Sequence, residues 1–181
     1  MNSSETGSDV DKNNIDTLIE KLKSKDGIVR QNARNALVKI GEPALDALIK
    51  EFAIKKEPVH WEVAKALSQI GTLKAAQVLV DALEDKEFSV RWIAAEGLIH
   101  VGYDGLITLL KALRDKSDSV WLREGGHHVI HDLVHRKMVY NPTRKCLRPV
   151  LDSLNQFETV VKTKTAASKA LEILQRQKKK I

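Results

Sequence analysis

The chain has a single cysteine, Cys146, in 181 residues, so no internal disulfide can form and a reducing compartment is the natural setting. A core of the size this length allows does not need covalent staples. No apolar run approaches the ~18 residues that cross a bilayer, and no secretory signal is visible, so a cytoplasmic protein without a membrane span is expected. Strand signals are equally scarce: there is no sustained apolar–polar alternation and no Asn-Gly hairpin turn. Phosphate-binding glycine loops, dinucleotide-binding glycines, nucleophile arrangements, an HExxH pair and paired cysteines are all missing, which leaves no catalytic residue to name. Gly125-Gly126 falls inside a predicted helix and reads as close packing or a local kink. Aromatic residues make up only 4% of the chain, so where they sit carries information.

Charge is plentiful and uneven. Residues 1–135 hold 18 Lys/Arg against 21 Asp/Glu, whereas residues 136–181 hold 12 against 3 and end in Lys178-Lys179-Lys180. A basic last quarter beside a mildly acidic body can attract phosphate-rich or acidic partners, nucleic acid included. Lys162, Lys164, Lys169 and Arg176 are the residues that would neutralise phosphates. A solvated helix face accounts for the same charges.

Apolar periodicity supplies the architecture. Five segments repeat the i, i+3, i+4, i+7 stripe of a short amphipathic helix, beginning at Ile15, Leu45, Ala76, Leu106 and Leu147. Between them lie five segments with a second pattern, in which small residues recur four and seven places after the start. The first is Val29-Ala33-Ala36-Leu37-Ile40 and the last is Thr163-Ala167-Ala170-Leu171-Leu174. Small residues at those places let two helix axes approach closely. Gly41, Gly71 and Gly102 end the first three of these second helices, where a left-handed cap favours glycine. Each unit is therefore helix, turn, helix, and stacked units bury a continuous core.

These segments predict an all-α chain folded as a right-handed α-α superhelix of about five helix pairs. The expected units span residues 14–41, 42–71, 72–102, 103–136 and 142–176, with a loop insertion at about 134–143. Residues 1–13 and 177–181 read as a polar disordered tail and a basic tail. Val90-Arg91-Trp92-Ile93-Ala94-Ala95-Glu96-Gly97-Leu98-Ile99-His100-Val101-Gly102, like Val29-Arg30 through Gly41, resembles the second helix of a HEAT-like repeat. The period of about 30 resembles the short, phycobilisome lyase-type form. That resemblance implies that the second helices line a concave face.

Counting from the start of each second helix, the outward row at position 2 reads Gln31, Trp61, Trp92, Glu124 and Thr165, and the row at position 6 reads Asn35, Lys65, Glu96, His128 and Lys169. Two tryptophans in register on such a face are anchors of the kind protein interfaces use. The expected partner-binding set is Gln31, Asn35, Trp61, Glu62, Lys65, Trp92, Glu96, Glu124 and His128. The expected function is a non-enzymatic scaffold for another protein, its oligomeric state left open. The alternative is a metal-binding protein or metal-dependent enzyme, with a divalent transition metal, Zn or Fe, held by the Glu124, His128, His131, His135 stripe and Asp132 orienting an imidazole. Deoxyhypusine hydroxylases, which the repeat type resembles, hold iron with His-Glu pairs. The matching slots here are Gln31-Asn32, Trp61-Glu62, Trp92-Ile93 and Glu124-Gly125, none of which is His-Glu. Arg30, Arg91 and Arg123 share position 1 and read as structural links; Asp85, six residues before Arg91, resembles the acidic member of the Asp–Arg ladder of HEAT repeats, which implies that it pairs with Arg91.

Overall fold

The computed structural model describes residues 14–54, 59–136, 141–154 and 160–178, and all regular structure among them is helical. The polar tail expected at 1–13 lies outside these residues, as do the middle of the expected insertion (137–140) and the last three residues of the basic tail. Helix α1 covers 14–21, followed by α2 (Gly27–Ile40), a single 3₁₀ turn (Glu42–Ala44), α3 (Leu45–Ala53) and α4 (Val59–Ile70). Then come α5 (Leu73–Ala82), α6 (Phe88–Val101), α7 (Tyr103–Asp115), α8 (Val120–His135), α9 (Asn141–Leu154) and α10 (Val160–Lys178).

Local chemistry sets the helix ends. Asp26, Thr72 and Ser119 cap α2, α5 and α8 by accepting hydrogen bonds from Ile28, Ala75 and Leu122 backbone N–H groups. Gly41, Gly71 and Gly102 follow α2, α4 and α6 with φ of 75°, 68° and 71°, a region costly for any residue with a Cβ.

Two rows of helices result. Second helices pack on second helices (α2 on α4, α4 on α6, α6 on α8), first helices pack on first helices (α3 on α5, α5 on α7), and α3 closes on α4, α5 on α6, α7 on α8 and α9 on α10. Between the rows runs one continuous core, dominated by fully buried leucines such as Leu22, Leu37, Leu48, Leu67, Leu79, Leu98 and Leu109. The amphipathic stripes read from the sequence are its two walls.

Polar groups stitch neighbouring repeats. Glu62, buried on α4, accepts from Arg30 Nε at 3.2 Å and pairs with the buried Arg34, both on α2. His60 Nδ1 donates to Asp85 Oδ2 at 2.7 Å, and its ring stacks on Phe52. Two of the three position-1 arginines, Arg30 and Arg91, link turn to helix, but through carbonyls. Arg30 Nη1 donates to the oxygens of Ser24 and Lys25, and Arg91 Nη1 to those of Asp85 and Lys86. The Asp85 carboxylate is directed instead to His60 and to the Glu87 N–H. The expected Asp85–Arg91 side-chain pair is therefore replaced by a backbone clamp, since a guanidinium fork can satisfy two turn carbonyls at once.

The fifth pair departs from the pattern. Helix α10 packs along α7 and α9, whereas among the described residues α10 and α8 make no comparable contact. Tyr103 Oη, at the start of α7, reaches the Leu174 carbonyl near the end of α10, and Asp115, at the end of α7, feels Lys164 near the start of α10. The two helices are antiparallel. Helices α7, α8, α9 and α10 thus close a ring of successive antiparallel neighbours, and α10 sits beside a first helix. The row of second helices does not continue to Thr165 and Lys169.

Candidate functional site

The second helices approach closely because small residues face their neighbours. A Cβ added at Gly97 of α6 would lie 2.6 Å from Ser68 Cβ on α4, and one at Gly125 of α8 would lie 2.7 Å from a methyl of Leu83, which caps the first helix α5. Helix α8 packs in turn on α6, which brings side chains on their outward surfaces within reach of each other. His128 Nε2 lies 3.0 Å from Glu96 Oε1, an imidazole N–H donating to a carboxylate 32 residues away. The His128 ring also lies 4.6 Å from that of Trp92.

From Trp92 the contacts run on as a ribbon. Phe88, one turn earlier on α6, lies 6.3 Å from Trp92. The Arg91 guanidinium stands 5.7 Å from the Phe88 centroid and 4.8 Å from that of Trp121 on α8. Arg91 is held at the same time by the Asp85 and Lys86 carbonyls, so both rings rest against a fixed cation. The aromatic surface is open: Phe88 is 68% exposed, Trp92 47% and Trp121 42%. Rings this exposed and mutually braced can cover a partner's apolar side chain with little loss of rotamer entropy.

Of the nine residues expected on this face, the structure gathers Trp92, Glu96 and His128 into one contact group. Gln31 and Asn35 stand exposed on α2, two repeats away, and Lys65 is half-buried on α4. Trp61 is half-buried against the core with Arg34 over its ring at 5.4 Å, so it fills the seam between repeats. Glu62 is 6% exposed and committed to two arginines, which removes it from the surface. Glu124 is exposed on α8. Sequence reasoning missed Phe88 and Trp121. Both lie just before the second-helix pattern begins, in adjacent repeats, and that shared placement was the available signal.

The histidine stripe divides. On α8, His127, His131 and His135 stack in a column, with ring centroids 5.8 and 3.9 Å apart, and His135 Nδ1 donates to the His131 carbonyl at 2.8 Å. His128 instead turns to Glu96 and Trp92 on α6. Helix spacing alone leaves these rings on adjoining strips of α8, an i, i+4 step turning by about 40° and an i, i+3 step by about 60°, so it is the contact with Glu96 and Trp92 that draws His128 out of the column. Asp132, expected to orient a ligating imidazole, is buried and holds Arg136 at 2.8 Å. Among the described residues no group of three or more His, Cys, Asp or Glu side chains is arranged to hold a metal ion. No described helix is long and apolar enough to cross a membrane.

Residues 53–125 match the family described as HEAT repeats, a similarity that spans the central helices of the chain. No curated protein matches the chain. Among solved structures, the crystal structure of an engineered protein is similar at 20% identity over 92% of this chain and 81% of that one, with a TM-score of 0.40.

Proposed function

We propose that these HEAT repeats form a non-enzymatic cytoplasmic scaffold that binds a partner protein through the outward face of α6 and α8, with the neighbouring second helices as its margin. The observation that carries this reading is the exposed ribbon Trp121–Arg91–Phe88–Trp92–His128–Glu96, which crosses two repeats. Covering the exposed parts of three aromatic rings removes on the order of 300 Å² of apolar surface. That is roughly 7 kcal/mol before the entropy of association is subtracted, enough to anchor an interface of ordinary strength. Glu96 and His128 at one end, and Arg91 in the middle, supply polar contacts that fix orientation. The spacing of the helix pairs supports the short, phycobilisome lyase-type form of the repeat.

The test is site-specific photo-crosslinking. A crosslinking residue at Trp121 is expected to capture one defined protein, and the same residue at Lys50 on α3 is expected to capture none. Trp92→Ala and Phe88→Ala are expected to abolish capture at 121 while melting stays within about 2 °C of the parent, because both rings are exposed. Equal capture at both positions, or none at 121, overturns the reading.

A further inference from the structure

The last two helices carry a second surface that the aromatic ribbon does not use. A groove of about 470 Å³ runs between α9 and α10. Pro149, Val161 and Ala166 make it apolar, Lys162 and Lys169 flank it, and Asp152 is the one carboxylate among the described residues that line it. Val161 is 76% exposed, an unusual state for a valine on a packed helix. Lys145 precedes Pro149 by one turn on the same side of α9, with Arg148 beside it, and both are exposed. The groove therefore lies in the segment where Lys and Arg outnumber Asp and Glu by 12 to 3.

We propose that this groove docks an acidic amphipathic helix of a partner protein. Its charge selects an acidic ligand, and its apolar strip selects one with an apolar side. A phosphodiester backbone has nothing to bury against Pro149, Val161 and Ala166. Among the described residues no aromatic side chain lines the groove for a nucleic-acid base to stack on. Lys162 and Lys169 are seven residues apart, or about 10.5 Å along α10. A helix laid beside α10 presents carboxylates at the same period on one side and aliphatic residues at i, i+3 and i+4 on the other, the geometry of helix-in-groove recognition. Thr165 and Ala166 are small enough at the contact to let the second axis come close.

The experiment uses the full chain and a fluorescent peptide of about 18 residues with Leu and Ala on one face and Glu on the other. The comparison probes are a peptide of identical composition with the pattern permuted, polyglutamate, and a single-stranded oligonucleotide. The patterned peptide is expected to bind most tightly and to weaken as salt rises. The Lys162→Glu, Lys169→Glu double variant should lose at least about tenfold in affinity with melting unchanged, and Asp152→Asn should bind more tightly. Trp92→Ala should leave this affinity intact, which separates the proposal from the aromatic ribbon. Failure of the patterned peptide to bind at low salt, equal binding of the permuted peptide or polyglutamate, tighter binding of the oligonucleotide, or indifference to the lysine reversals overturns it.

Discussion

The Tyr103 hydroxyl donates to the Leu174 carbonyl at 3.4 Å, joining residues 71 positions apart. In the earlier pairs a second helix packs on the second helix of the next unit, so this contact of α7 with α10 marks where the stack changes its connectivity. Leu174 is fully buried there, and Thr163, Ala167, Ala170 and Leu171 line the same side of α10. The basic segment thereby becomes a unit that packs on α7 and α9, with Lys162 and Lys169 on the groove side and Lys164 near Asp115 at the end of α7.

Leu174→Ala tests that connectivity. Removing a fully buried leucine costs about 2–5 kcal/mol through lost transfer energy and the cavity left behind. Amide exchange in the variant should quicken in α7 and α10 and leave the α8 segment that faces α6 protected. Faster exchange in α8 with α7 unchanged would place α10 beside the wrong helix.

Most of the architecture was legible from the apolar period. Most first-stripe residues of α3, α5, α7 and α9 are buried, with Ile49, Phe52 and Leu154 half-buried against the core, and Gly41, Gly71 and Gly102 stop the helices they were expected to stop. The inversion of the last pair was not legible, because a buried stripe specifies which side of a helix is covered and not which helix covers it. Thr163, Ala167, Ala170, Leu171 and Leu174 read identically whether α7 or α8 lies opposite. The one hint was the longer connection before Leu147. The site was half legible for a related reason. Position along a helix placed Trp92, Glu96 and His128 on one face, but it could not show that Arg30 and Arg34 would draw Glu62 under the surface.

Glu62→Ala probes that buried network. The change leaves the Arg34 guanidinium, on a side chain 11% exposed, without its countercharge and deprives Arg30 of an acceptor. Breaking a buried pair from one side costs roughly 3–5 kcal/mol, so a drop of roughly 10 °C in melting temperature is expected. Glu62→Gln keeps an acceptor oxygen and should fall between the two. A melting temperature within about 2 °C of the parent for Glu62→Ala would mean that the network contributes nothing of consequence.

Cys146 gives a pH-dependent readout. Burial raises its thiol pKa, partly offset by a backbone hydrogen bond, and the Sγ–H donates to the Thr143 carbonyl at 3.1 Å. The thiolate is the reactive form, so alkylation of the folded chain at pH 8 should be slower than that of a free cysteine, with its midpoint above the ordinary value of about 8.5. The folded state holds this proton more tightly than the unfolded chain does. Its contribution to stability is therefore complete below the unfolded pKa and lost as pH rises through the raised folded value. Urea should restore the ordinary profile. Alkylation of the folded chain at the free-cysteine rate would show the thiol to be solvated.

Two glycine variants should differ in sign or nearly so, because their surroundings differ in stiffness. At Gly97 an added Cβ meets Ser68 Cβ at 2.6 Å, a Leu79 methyl at 2.8 Å and Ser68 Cα at 3.1 Å, so the backbone of α4 itself stands in the way. At Gly126 the nearest atoms are the Leu113 methyls at 3.3 Å, which a small side-chain rotation can move. Alanine gains about 1 kcal/mol over glycine in a helix interior at either position. Overpacking at Gly97 costs about 1–3 kcal/mol and outweighs that gain, because α4 and α6 must separate along their seam. At Gly126 the gain should cancel or exceed the strain. Chemical denaturation is thus expected to rank Gly126→Ala at or above the parent and Gly97→Ala about 1–2 kcal/mol below it. The reverse order would mean that α4 and α6 are held less closely than α8 and α7, which the close approach at Gly97 does not allow.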